Sequence, residues 1–125
     1  MNICLDSWAV IDWLEDGPSA ASVEKVIPHR PVISLVNVCE VLYILSRKYG
    51  DKAIQQVLPA LRQKLAFIEV DEDLTLSASQ IKAAHKMALG DAFCVATALA
   101  NNAKILTGDP EIINAKGNWK VQDLR

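Results

Sequence analysis

Gly90-Asp91-Ala92-Phe93-Cys94-Val95-Ala96-Thr97-Ala98-Leu99-Ala100, followed closely by Ala103-Lys104-Ile105-Leu106-Thr107-Gly108-Asp109-Pro110, reads as a helix, then a strand, then an acid. The segment from Ala92 to Ala100 is almost wholly apolar, as a buried helix is. Ala103 to Thr107 has the length and composition of a strand and stops at Gly108-Asp109-Pro110.

The same alternation extends outward to both ends of the chain. Ile3 to Leu5 is a short apolar run that stops at Asp6, and Trp8, Ala9, Ile11, Trp13 and Leu14 follow at helical spacing. Gly17-Pro18 breaks that helix, Ser19 is placed to cap another over Ala20 to Val26, and Pro28 ends it. Val32-Ile33 is a second strand, and Ser34 opens a long apolar helix, Leu35 to Leu45, with Arg47 and Lys48 in its basic last turn. Asp51 is expected to cap a helix running to Lys64 and bent at Pro59, ahead of a strand over Ala66 to Val70. Asp73 to Met87 returns to helical spacing, and a last strand is expected near Trp119 to Val121.

Strands separated by helix-length segments predict parallel pairing, because a parallel crossover needs a long connection. The expected fold is therefore α/β, a three-layer α/β/α sandwich around a mainly parallel sheet of roughly five strands. With 125 residues, 51% hydrophobic and 22% charged, residues 1–125 are expected to form one domain with its own core. Cys4, Cys39 and Cys94 lie in apolar runs, without a CxxC or zinc spacing, and read as buried free thiols. An acid at position 6 comes too early for a signal peptide, and no run approaches a membrane span, so the expected location is the cytoplasm. A net charge of −2 excludes a strongly basic nucleic-acid binder. Any nucleic-acid chemistry here needs something to offset the acids.

Four acids are the candidates for that chemistry. Asp6 and Asp109 each follow a strand, the place where open α/β sheets bind ligands. Capping of the helix at Ser7 and of the turn at Pro110 accounts for them equally well. Asp91 begins an apolar helix, where the dipole alone would favour it by about 0.3–1 kcal/mol. Glu40 is surrounded in sequence by Val38, Cys39, Val41, Leu42, Ile44 and Leu45, and burying its carboxylate unpartnered would cost several kcal/mol. Two carboxylates about 4 Å apart repel by roughly 4 kcal/mol at an effective dielectric of 20, so a cluster calls for protons or a cation. All-oxygen ligation suits Mg²⁺ or Mn²⁺, whereas His29 and His85 lack zinc-ligand company and read as surface residues. Such an ion activates water and neutralises a phosphate during in-line displacement.

Four fragments in order then resemble one family. These are Cys4-Leu5-Asp6-Ser7, Ile33-Ser34-Leu35-Val36-Asn37-Val38-Cys39-Glu40-Val41, Leu89 to Ala98, and Ile105-Leu106-Thr107-Gly108-Asp109-Pro110. The chain resembles the PIN domain, small metal-dependent ribonucleases that include the VapC toxins of toxin–antitoxin pairs. The resemblance implies that Asp6, Glu40, Asp91 and Asp109 coordinate Mg²⁺ or Mn²⁺ with Thr107 beside them, and that RNA is cleaved. It also implies a VapB-like antitoxin as partner, and a homodimer is expected. Lys82 and Lys86, four apart on the helix before Asp91, are placed to touch the RNA backbone, although such a pair is more often a solvated face. Trp8 and Trp13 make the first helix bulkier than is usual in the family, and Ala88 stands where a small hydroxyl residue is frequent. The tryptophans suit a dimer or antitoxin surface, core packing being the ordinary alternative.

Other readings fit less well. A receiver domain needs paired acids after its first strand, but Asp6 is followed by Ser7, and Lys120 lies within the expected last strand rather than after the fifth. A haloacid-dehalogenase phosphatase needs Asp-x-Asp where this chain has Asp6-Ser7-Trp8. A PIN fold that has lost catalysis and only binds RNA or protein is disfavoured by the presence of all four acids.

Overall fold

In the computed structural model, which describes residues 2–125, five parallel strands carry the molecule. They are β1 (Asn2–Leu5), β2 (Val32–Ser34), β3 (Ala66–Ile68), β4 (Ala103–Thr107) and β5 (Val121–Asp123), in the sheet order β3-β2-β1-β4-β5. The helices are α1 (Ser7–Leu14), α2 (Ala20–Val26), α3 (Leu35–Tyr49), α4 (Asp51–Lys64), α5 (Glu72–Ala84), α6 (Leu89–Ala100) and α7 (Pro110–Asn114).

Alternation along each strand divides the core into two layers, because successive strand side chains point to opposite faces. Cys4, Ile105, Val32 and Ile68 face α5, α6 and α7, together with Leu74, Ile81, Val95 and Ile112. Leu5, Leu106, Ile33 and Phe67 face α1 to α4, together with Val10, Val23, Val41 and Leu61. The expected three layers are thus present, and every pairing in the sheet is parallel.

The strand order places the functional end. From β1 the chain winds outward to β2 and β3, then returns to the other side of β1 for β4 and β5. The order reverses between β1 and β4, which are paired from Asn2–Ala103 to Leu5–Leu106. At such a switch point the connections leave in opposite directions and open a crevice beyond the strand ends. Asp6 and Asp109 occupy the first positions of that crevice.

Several expectations need correction. The last strand is Val121–Asp123 rather than Trp119 to Val121, because Trp119 packs against the α6 side of the core and edge-on to His85. His85 is accordingly half-buried rather than a surface residue. Strand β3 ends at Ile68, since Asp71 accepts the Leu74 N–H at 2.8 Å and starts α5 early. Helix α5 ends at Ala84, so Lys86 has left it and does not share a helical face with Lys82. Ser19 does not cap α2 with its hydroxyl, which donates to the Leu124 carbonyl. Asp51 is inside α4, the capping position being Gly50 at φ 87°, where a residue with a Cβ is strained. Cys4 and Cys94 are buried free thiols as expected, but Cys39 is exposed on the outer face of α3. Among the described residues no helix is long and apolar enough to cross a membrane.

Candidate functional site

Asp6 follows directly from β1 and is 2% exposed. It does cap α1, since one carboxylate oxygen accepts the Ala9 N–H at 2.9 Å. Its other oxygen accepts the hydroxyl of Thr107, the buried last residue of β4. The same Thr107 oxygen accepts the Asp109 N–H at 2.9 Å, and Asp109 in turn accepts the Glu111 N–H at 2.9 Å. One hydroxyl therefore ties the ends of β1 and β4 together. Capping and site geometry are not alternatives: the interactions that start α1 and α7 also aim these two carboxylates.

Asp91 is half-buried in the first turn of α6 and accepts the Ala88 N–H at 3.3 Å. Ala88 is the helix cap and has no side-chain oxygen to offer, so the start of α6 leans on Asp91. Carboxylate oxygens of Asp91, Asp109 and Glu111 lie within 4.8 Å of one another. Glu111 is absent from the sequence-based set. It stands two residues beyond Asp109 in a first helical turn, where an acid reads as dipole compensation, and only the approach of α6 gives it company.

Glu40 approaches from α3 to the start of α6, near enough for its charge to act on Asp6, but neither Glu40 nor Asp6 belongs to that group of three. Although apolar residues surround it in sequence, Cys39 and Tyr43 face solvent and Glu40 is only partly buried. Its partner is Asn37, whose amide donates to Glu40 Oε1 at 2.8 Å and to the Gly90 carbonyl at 3.0 Å. Asn37, 1% exposed, thus joins α3 to the start of α6, and sequence reading did not single it out. Its spacing from Glu40 is the signal that was available, because residues three apart share a helical face. Gly90 completes the contact: a Cβ there would lie 2.3 Å from Glu40 Oε2. Arg47 takes no part and lies over the Tyr43 ring at 5.2 Å.

The electrostatics follow from this crowding. Burial raises the Asp6 carboxyl to about 7, against the lowering effect of its Thr107 and Ala9 hydrogen bonds, and the charges of Asp109 and Glu40 raise it further. Burial also raises Asp91 to about 8, helped by the adjacent Asp109 carboxylate and by Glu111. Among the described residues the salt bridges are Lys48–Glu15 and Arg125–Asp123, and neither touches these acids. With no lysine or arginine among the described residues in a salt bridge to these acids, the ionised cluster fits a hard divalent ion held by carboxylate oxygens.

The two lysines separate. Lys82 is exposed on the last turn of α5, whereas Lys86 lines a cleft shared with Glu111. The two tryptophans of α1 pack against the α1–α4 side of the core. Trp13 donates its indole N–H to Glu24 at 2.6 Å, and Trp8 lies so close to Gly108 that a Cβ there would be 2.4 Å from the ring. Packing is thus part of their role.

A family model described as PIN domain matches residues 3–118. No curated protein matches the sequence. Among solved structures, the fold is similar to a toxin–antitoxin complex from Klebsiella pneumoniae, with a TM-score of 0.79 and 20% identity over 100% of this chain and 98% of that one. DNA-bound VapBC from Salmonella typhimurium is similar with a TM-score of 0.80 and 13% identity, over 100% of this chain and 99% of that one. VapC20 from Mycobacterium tuberculosis, described as a toxin that cleaves the sarcin–ricin loop, gives a TM-score of 0.72 and 17% identity over 94% and 97%. At these identities the likeness is one of fold.

Proposed function

We propose that this chain, which belongs to the PIN domain family, is a divalent-metal-dependent endoribonuclease and the toxin of a VapBC-type pair, with residues 1–125 acting as one catalytic unit. The observation that carries the reading is the convergence of Asp91, Asp109 and Glu111 within 4.8 Å, at a strand-end crevice that also holds buried Asp6. Asp6, Glu40, Asp91 and Asp109 would hold Mg²⁺ or Mn²⁺, with Glu111 as a fifth oxygen donor. When bound, the ion supplies water activation and charge neutralisation at the phosphate.

The chain's own residues do the rest. Thr107 fixes Asp6 and the Asp109 backbone in one arrangement, so that two donors need not reorganise. Asn37 holds Glu40 against Gly90. Lys86, which lines the same cleft as Glu111, would meet a phosphate of the substrate backbone, while Lys82 stands on the last turn of α5. A VapB-like antitoxin as partner is supported by the descriptions of the structural neighbours as toxin–antitoxin and VapBC complexes, and a homodimer is part of the same proposal.

The test is cleavage of single-stranded RNA by purified protein in Mn²⁺, with EDTA and Asp91→Asn as controls. The expected result is cutting by the wild type alone, with EDTA and the substitution each lowering the rate by at least a hundredfold. Equal cutting in EDTA, or by Asp91→Asn, would show that the acids are not the catalytic centre. Binding of RNA without cutting would favour a non-catalytic binding module.

A further inference from the structure

Two clefts share walls with the acid cluster, and they differ in charge. One, of about 440 Å³, is lined by His85, Lys86, Pro110, Glu111 and Asn114, among others. The second, of about 330 Å³, has Trp8, Asp12, Glu15 and Asp109 in its walls and neither lysine nor arginine, although Lys48 pairs with Glu15 from outside. A polyanion entering the second cleft meets three carboxylates and no lining cation; in the first, Lys86 stands in the wall together with a single carboxylate, Glu111.

The first cleft exists because α5 stops where it does. His85 takes an extended conformation at the helix end, φ −133° and ψ 150°, which carries Lys86 off the α5 face. The His85 ring then packs edge-on to Trp119, with centroids 5.0 Å apart and planes at 81°, a geometry that fixes the imidazole as a wall. Lys86 is exposed and, among the described residues, has no carboxylate within salt-bridge distance. Asn114 is exposed, and its side-chain amide makes no hydrogen bond among the described residues, leaving both donor and acceptor open. A cation, a free amide, a fixed imidazole and the Pro110 ring around a volume of nucleotide size match what a splayed single-stranded nucleotide offers: phosphate, base edge and base face.

We infer that the cleft formed by His85, Lys86, Pro110 and Asn114 is the subsite for one nucleotide of single-stranded RNA beside the cleaved phosphate, and that Asn114 sets which base is accepted there. The position relative to the cleaved bond rests on the nuclease reading above; the ligand chemistry of the cleft does not. Lys86 takes the backbone charge, so its contribution is independent of sequence and sensitive to salt. Asn114 contacts the base edge, so its contribution depends on sequence and varies little with salt.

The experiment is an NMR titration of the wild-type protein with short oligoribonucleotides of each of the four bases, in Ca²⁺ so that the acids are offset without relying on turnover. Shifts are expected at the Asn114 side-chain amide, the Trp119 indole N–H and the His85–Lys86 backbone, with one base preferred. Lys86→Ala should weaken binding of all four about tenfold and flatten the dependence of log affinity on log salt by about 0.7. Asn114→Ala should change the ratio of the four affinities and leave the salt slope unchanged. Shifts confined to the Trp8 cleft, or the same base ratio in wild type and Asn114→Ala, would overturn the assignment. A protein that cuts RNA yet shows no shift at this cleft loses the subsite and keeps the nuclease reading; binding here without cutting does the reverse.

Discussion

Removing one charge from the cluster is expected to stabilise the metal-free protein, and the effect has a sign and a pH window. Asp6 is buried, and its carboxyl is raised from 3.8 to about 7, chiefly by that burial. A raised folded-state pKa means that the folded form holds its proton more tightly than the unfolded chain. The Asp6 contribution is therefore intact below about pH 4 and is lost as pH rises to about 7. Each unit of difference corresponds to about 1.4 kcal/mol, so from pH 5 to pH 8 Asp6 alone removes up to about 3 kcal/mol. Asp91, raised to about 8, adds a loss in the same direction, smaller per unit because the group is half-exposed and water screens it. Asp6→Asn retains an oxygen for the Ala9 N–H and places an amide against the Thr107 hydroxyl, so the start of α1 persists without the charge. The assay is urea denaturation in EDTA at pH 5 and pH 8. At pH 5, about one unit above the unfolded-state value, the variant should already exceed wild type by about 1–2 kcal/mol, and the gap should widen by about a further 2–3 kcal/mol at pH 8. Adding Mg²⁺ at pH 8 should recover the loss in wild type, by about 2.7 kcal/mol at a hundredfold excess over the dissociation constant, and only weakly in the variant. Parallel stability curves for the two proteins between pH 5 and pH 8 would refute the account of Asp6 as a buried, uncompensated acid.

Thr107→Val keeps the shape but removes the donor to Asp6 and the acceptor for the Asp109 N–H, so a loss of about 1–3 kcal/mol is expected. The loss should be larger at pH 8 than at pH 5, because the hydroxyl favours ionised Asp6; equal losses would count against that bond. Gly90→Ala puts a methyl group 2.3 Å from Glu40 Oε2, which can swing away but must release Asn37. Cleavage is expected to fall at least tenfold while the thermal midpoint moves only a few degrees; full activity would remove Glu40 from the site. Expressing the chain alone should slow growth of the host, with relief by Asp91→Asn. Normal growth with intact soluble protein would argue against a toxin.

The sheet was legible because a parallel strand is buried on both faces and reads as a short apolar run; β1, β2 and β4 all have that character. The edges were less so. Trp119 has the apolar character of a strand residue, yet its ring packs on His85 and the core while the pairing backbone starts at Val121. Helix α5 starts at Glu72 rather than Asp73 because Asp71 accepts the Leu74 N–H, a cap that apolar periodicity does not reveal. The bend that sends Lys86 away from Lys82 has no glycine or proline to announce it, since His85 adopts extended backbone without strain.

The site divides along the same physical line. Acids at strand ends are visible because sheet topology alone brings them together, and Asp6 and Asp109 need nothing but β1 beside β4. Residues that depend on a helix approaching from elsewhere are invisible, and both residues missed, Asn37 and Glu111, meet α6 in their decisive contacts. Glu40 is placed by a different interaction from the one its sequence context suggests. Its apolar neighbours do not enclose it, since Cys39 and Tyr43 face outward. What holds the Glu40 carboxylate at the α6 start is a neutral partner, Asn37, and a glycine that lets it come within contact there. Charge here is held by neutral donors: Thr107 for Asp6 and Asn37 for Glu40. A lysine or arginine in either place would satisfy the acids within the protein and leave no deficit for a divalent ion to fill. The crowding of acids that is expected to destabilise the metal-free fold at neutral pH is therefore the same feature that would make it receptive to a cation.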